Sequence, residues 1–239
     1  MYTLLIGLLV GVVTGYLGFL IYPSYVLASL TFVAGVLVFN FFMGRHFMKK
    51  LTEIFNSTEK DIKSGKTDIA IEKLKTGYKY SKWQFLVKEQ IDSQIGIILY
   101  ANKRFDEALP YLKKAMKSNW MAMSMLAAYY YRQKDYANMK AVMEKSSKAN
   151  KKDSFTQCLY AYFLSETGDV DGAIAVLAKA MKKLPSDERL QNASDALKNR
   201  KKIKMQAYNT LWLQLHLAKM PEGIKQYQTL IGRQKITRR

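Results

Sequence analysis

No charged side chain occurs before Arg45, although the whole chain carries 38 Lys and Arg against 19 Asp and Glu. A water-soluble domain does not begin with so long an uncharged apolar run, so the amino-terminal fifth is read as belonging in lipid. Cysteine is nearly absent too. The single Cys158 excludes an intramolecular disulfide framework and suits a reducing cytoplasm. The two histidines, His46 and His216, lie far apart, with no Cys, Asp or Glu at ligand spacing, so no metal site is expected. There is no glycine-rich phosphate loop, nucleophile elbow or histidine-based metal motif. Neither an enzyme nor a bound cofactor is expected. Proline is scarce at four residues, strand-like alternation is hard to find, and apolar residues recur at three and four. The fold class is therefore read as all-α.

What is present begins with the apolar segment. As helix, Met1–Gly44 would be about twice the length needed to cross a hydrocarbon core of about 30 Å. Pro23 breaks it, giving spans at about 2–22 and 24–43 joined by a tight turn flanked by Tyr22 and Tyr25. Arg45, His46, Lys49 and Lys50 follow the second span at once, while the turn carries no charge. The positive-inside rule then places both ends of the hairpin in the cytoplasm, as in a bacterial-type inner membrane. The competing reading, a cleaved signal peptide, wants a basic n-region that is missing. Gly7, Gly11 and Gly15 share one face of the first span, and Ser24, Ala28, Thr31 and Gly35 share one face of the second. Such small-residue faces either pack on each other within the hairpin or recruit a second copy or another membrane protein.

The rest of the chain divides into 45–199 and 200–239. Within the first, Gly96, Tyr100, Ala101, Phe105, Ala108, Leu112 and Ala115 form a helix–turn–helix unit with small residues where two helices cross. A similar unit has Ala161, Leu164, Gly168-Asp169, Ala173, Leu177, Ala180 and Pro185. Between them lie Ala127, Tyr130, Asp135, Met139, Met143 and Ser146, and an earlier copy has Gly65, Ala70, Leu74 and Gly77. The second-helix positions Ala70, Ala108, Met139 and Ala173 are spaced by 38, 31 and 34 residues (108−70, 139−108, 173−139). This pattern resembles the tetratricopeptide repeat, whose period is about 34. It covers about residues 51–187 and implies an α-solenoid of about four helix pairs. In the first copy, Ser57 and Asp61 stand where a leucine and an aromatic are expected, leaving open a merger with an extension of the second span. Ser186–Lys198 is read as a polar lid helix capped by Ser186, with Leu190, Ala193 and Leu197 as its apolar stripe.

The resemblance implies a concave groove that binds a protein partner and is lined by the first helix of each pair. Transferred to this chain, the groove residues are Gln90, Ser93, Ile97 and Tyr100, then Met121, Ser124, Ala128 and Tyr131, then Phe155, Cys158, Tyr162 and Ser165. The bland alternative is that their rings pack between neighbouring helices. The family's Lys/Asn clamp for a terminal carboxylate is missing. A basic surface is the second binding argument: the net charge of +19 lies entirely beyond Gly44. It includes Lys113, Lys114 and Lys117, and the run Lys198, Arg200, Lys201, Lys202 and Lys204. Anionic lipid is its least demanding partner, an acidic protein next, and nucleic acid is disfavoured for want of a motif. Tyr208, Leu211, Trp212, Leu215 and Leu217 load a final helix ended by Pro221 and Gly223. That helix either packs against the repeats or touches the membrane surface. The tail from Gly232 is expected to be disordered. Together these expectations describe a membrane-anchored scaffold. A runner-up is an electrostatic lipid or nucleic-acid binder, or a subunit of a larger membrane complex, with a homo-oligomer through the glycine stripe as a further option.

Overall fold

The computed structural model describes residues 2–217. The chain forms two compact units, Met1–Met116 and Lys117–Arg239. Their boundary falls inside the stretch read from sequence as one repeat domain.

The first unit opens with α1 (Tyr2–Ile21) and α2 (Tyr25–Lys63), packed as a hairpin. Pro23 marks the break, and Ser24 is extended there (φ −135°, ψ 122°). The glycine faces meet the partner helix directly. A side chain at Gly11 would run into Val36 and come within 3.0 Å of the Phe32 carbonyl oxygen, and one at Gly15 within 3.1 Å of that of Ala28. Gly35 faces Thr14, whose hydroxyl lies 3.0 Å from the carbonyls of both Gly11 and Thr31. The small-residue stripes thus pack on each other within the hairpin, the first of the two readings of them. The outer faces of both helices remain apolar and exposed.

The second helix does not end at Met43. α2 continues for 39 residues, about 58 Å, because no proline occurs between Pro23 and Pro110 and an apolar stripe takes over where the uncharged run stops. Phe47, Leu51 and Thr58 are the buried side chains of α2, all in its charged half. They form the opening helix of the first repeat, which closes with α3 (Thr67–Lys75) through buried Ala70, Ile71 and Leu74. A 3-10 turn (Thr76–Tyr80) follows, then α4 (Val87–Ala101) and α5 (Phe105–Lys114). In that pair Gly96 lies under Leu112, where a Cβ would come within 3.2 Å of the Leu112 amide nitrogen. Ala108 and Leu112 are fully buried.

The second unit stacks α6 (Trp120–Arg132), α7 (Tyr136–Ala149), α8 (Ser154–Glu166), α9 (Val170–Met181) and α10 (Glu188–Lys198). Each begins with a side chain that accepts from an early backbone amide: Asn119, Asp135, Asp153, Asp169 and Asp187 respectively. Such a cap contributes about 1 kcal/mol. The lid helix is capped by Asp187, not Ser186, because the helix starts one residue later than expected. Its Leu190, Ala193 and Leu197 are buried as the stripe requires. The chain ends, as described, with a 3-10 turn (Met205–Tyr208) and the short α11 (Thr210–Gln214). The continuous helix expected over 208–217 is broken at Asn209, which takes a positive φ of 43°.

Each turn inside a pair holds one residue in the left-handed region: Gly65 (φ 75°), Lys103 (63°), Lys134 (59°) and Gly168 (90°). Each stands five positions before Ala70, Ala108, Met139 and Ala173, so the turn repeats with the same spacing as the small residues. A side chain in that region costs about 1–2 kcal/mol. Gly168→Val should therefore lower the thermal midpoint of the detergent-solubilised chain by about 2–4 °C or more, whereas Lys134→Gly should leave it unchanged or raise it. Calorimetry or circular dichroism melting checks both signs.

Candidate functional site

The first-helix faces of the repeats are where the sequence places partner binding. In the first unit only part of that face is open. Ser93 is buried; its hydroxyl donates to the Glu89 carbonyl at 2.6 Å and accepts from the Met116 amide at 2.9 Å. Tyr100 is also fully buried, edge-on to Phe105 with centroids 4.8 Å apart. These two positions, read as groove wall, instead tie α4 to its neighbours, because a ring or hydroxyl at a helix crossing fills the gap left by a small partner. Gln90 and Ile97 stay half-buried on α4.

In the second unit Met121 and Tyr131 are half-buried on α6, while Ser124 and Ala128 are buried. Tyr131 stacks on Phe163 at 4.9 Å and lies 5.9 Å from Tyr136. On α8, the chain's own C-terminal segment lies over the predicted face. Phe155 is buried between Trp120 and Tyr208, at 5.7 and 5.2 Å. Cys158 meets Met205 (Sγ to Sδ 3.6 Å), and Tyr162 packs edge-on to Trp212 at 5.1 Å. The Tyr208 hydroxyl pairs with the Ser154 hydroxyl at 2.7 Å and donates to the Ser154 carbonyl at 3.2 Å. Arg189 of α10 lies over the Tyr208 ring at 4.8 Å while bonded to Asp187 at 3.0 Å. Ile203, Met205, Tyr208, Trp212 and Leu215 are all buried. Phe155 and Cys158, read as groove residues, are buried beneath this segment, and the segment packs against the repeats, the first of the two readings of it. Pro221, Gly223 and the basic tail lie outside the described residues.

The basic residues behave differently. Lys113, Lys114, Lys117, Lys198, Arg200, Lys201, Lys202 and Lys204 are all exposed. Lys202 reaches Glu166 at 3.2 Å. A cleft of about 790 Å³ opens between α10 and residues 201–208, and Arg189, Lys201, Lys202 and Lys204 line it beside Asp195. Among the described residues no group of three or more His, Cys, Asp or Glu comes together to hold a metal ion.

Paired helices, small residues at each crossing and a repeated left-handed turn define an α-solenoid of the protein-interaction class. Residues 93–119, the α4–α5 pair, match the family model of the tetratricopeptide repeat. Over that stretch the chain carries a tetratricopeptide repeat. Among solved structures, the MamA RS-1 ArsTM double mutant is similar to it over 70% of this chain and 93% of that one, at 18% identity and a TM-score of 0.48. No curated protein sequence matches the chain.

Burial raises the Cys158 thiol to about 12 and the Tyr162 phenol to about 12, and pushes the Tyr208 phenol up as well. All three are held neutral in the fold. Their contribution is complete below the ordinary thiol value of 9.0 and is lost as pH rises towards 12. The C-terminal segment should therefore loosen in alkali. At neutral pH, truncating a buried tryptophan costs about 3–5 kcal/mol, whereas losing one hydrogen bond costs about 1. Trp212→Ala should thus raise the reaction rate of Cys158 with a thiol reagent by an order of magnitude or more, and Tyr208→Phe only slightly. A disulfide-exchange assay on the folded chain measures both.

Proposed function

We propose that the chain is a membrane-tethered scaffold. Residues 1–44 cross the membrane twice, the repeats of 45–199 stand on the cytoplasmic side and hold a protein partner, and residues 200–217 close the end of the array. The observation that carries this reading is the inverted packing of the hairpin. Its interior is glycine and threonine, while Leu5, Leu9, Val12, Leu30, Leu37 and Phe41 point outward and are exposed. A core helix of a soluble protein hides such faces, and so large an apolar surface is not tolerated in water. Both helices are long and apolar enough to cross a bilayer. The charge-free turn and the cluster after Met43 support a cytoplasmic position for the repeats.

Partner capture falls to the first-helix positions that stay half-open: Gln90 and Ile97 in one unit, Met121 and Tyr131 in the other. Tyrosine and methionine at such positions combine apolar area with adaptable contact. Tethering then raises the effective concentration of the partner at the membrane without any new contact. The runner-up, an electrostatic binder, draws on the four cationic side chains around the cleft beside α10.

Membrane residence and partner binding separate experimentally. The chain should resist alkaline carbonate extraction, and crosslinking in native membranes should join it to a protein whose yield falls at least about tenfold in Met121→Asp and Tyr131→Ala, the scale set by truncating an interface anchor. Both variants should stay in the membrane fraction. Release by carbonate would end the membrane reading, and unchanged crosslinks in both variants would end the groove reading.

A further inference from the structure

The segment between the first and second repeats has an unusual composition. From Lys73 to Lys88 it contains Lys73, Lys75, Lys79, Lys82 and Lys88 and no acidic residue, interleaved with Tyr78, Tyr80, Trp83 and Phe85. After the 3-10 turn the backbone leaves helix, and Leu86 sits in the left-handed region at φ 64° immediately before α4. Phe85 is 59% exposed and Trp83 37%, although both are large apolar rings.

This segment is fastened to the mouth of the apolar hairpin. The backbone amide of Tyr2 donates to the Lys82 carbonyl at 3.0 Å and that of Thr3 to the Trp83 carbonyl at 3.4 Å. The Thr3 hydroxyl donates to the same Trp83 carbonyl at 2.5 Å. These bonds satisfy amides that the first turn of α1 cannot pair within itself. Above them Trp83 packs edge-on to Tyr2 at 5.3 Å and tilted against Phe47 at 5.8 Å, and Phe47 also meets Tyr80 at 5.8 Å. Arg45, Lys49 and Lys50 leave α2 at the same end of the hairpin, and all three are exposed.

We propose that residues 79–88 form a membrane-surface collar that binds the phosphate headgroups of anionic phospholipid. Trp83 and Phe85 sit at the headgroup–acyl boundary, and Lys79, Lys82 and Lys88 face the phosphates. The inference rests on the reading of 1–44 as a membrane hairpin and adds to it a second contact with the same leaflet. The depth follows from the geometry. A headgroup layer is about 5–7 Å thick on each side of the hydrocarbon. Carbonyls hydrogen-bonded to the first two amides of a spanning helix fall inside that layer. Lysine flanking tryptophan and phenylalanine is the composition that binds there, the rings for their amphipathic fit and the ammonium groups for the negative surface potential. An acidic protein would satisfy the lysines but would leave Phe85 without its apolar surroundings.

The test uses the full chain in vesicles, with Cys158→Ser removing the native thiol. Phe85→Cys carries an environment-sensitive fluorophore, and Val12→Cys carries the same label as a depth reference. In phosphatidylcholine–phosphatidylglycerol vesicles the label at 85 should emit blue-shifted light. Lipids brominated near the headgroup should quench it several-fold more than lipids brominated near the chain ends, with the reverse order at 12. Its quenching should fall several-fold in Lys79→Glu/Lys82→Glu/Lys88→Glu or in vesicles of phosphatidylcholine alone. A label at 85 that stays in water while the label at 12 is quenched overturns the collar and leaves the hairpin standing. A label at 12 that is never quenched overturns both. Quenching at 85 that ignores lipid charge and the lysine changes overturns the headgroup assignment.

Discussion

One helix belongs to two environments, and the first unit depends on it. α2 begins against the glycine face of α1 and ends as the first helix of the first repeat, with no break between Tyr25 and Lys63. A flexible linker would let the first repeat swing away from the hairpin. A continuous helix does not, because bending one sharply needs a proline, a paired glycine and serine, or an inserted group. Gly44 lies mid-helix with only Gln84 near its face, too little to bend it. The mount is braced again where Thr3 and Tyr2 bond to residues 82 and 83, so the first repeat is held at both ends of its connection to the hairpin.

The sequence makes the hairpin legible because it rests on two strong signals, the missing charge and Pro23. The repeat is legible for a similar reason: Gly96, Ala108, Ala161 and Ala173 must be small for helices to cross, and that requirement repeats at a readable interval. The end of the second helix is less legible. The uncharged run stops at Gly44, but Phe47 and Leu51 carry an apolar stripe onward, and composition alone does not separate a helix that ends from one that changes surroundings. The groove was misread at Tyr100 and Phe155 because an aromatic at a first-helix position looks the same whether it faces a partner or a neighbouring ring. The C-terminal segment posed the same ambiguity, and only the pairing of Tyr208 with Ser154 and of Trp212 with Tyr162 resolves it.

Satisfying buried polar groups explains part of that packing and leaves some of it open. The Tyr208 hydroxyl finds two partners on Ser154, and Gln157 donates to the Ser147 carbonyl in the last turn of α7 and to the Asn150 carbonyl just after it. In the first unit Tyr78 donates to buried Asp92 at 2.5 Å; burial first, and this bond second, push the phenol's pKa up. Among the described residues the other Asp92 oxygen, the Ser124 hydroxyl and the Trp212 indole nitrogen have no hydrogen-bond partner. Each such group costs about 1–3 kcal/mol. At Trp212 the ring buried against Tyr162 works against that cost.

The charge imbalance becomes intelligible once the acids are located. Asp135, Asp153, Asp169 and Asp187 each cap a helix, and Asp68 and Glu107 both bind Arg104 between α3 and α5. Carboxylates therefore sit where backbone amides or a neighbouring repeat need an acceptor. Some lysines do the same across elements, Lys73 with Asp61 and Lys140 with Asp169. Lys113, Lys114, Lys117 and Lys201 are exposed, and surface ion pairs would contribute at most about 1 kcal/mol each. With 38 bases to 19 acids, such pairing leaves an excess of bases that adds no stability. That excess is best understood through what the surface faces, and in the proposed membrane-tethered arrangement the nearest extended anion is the leaflet itself.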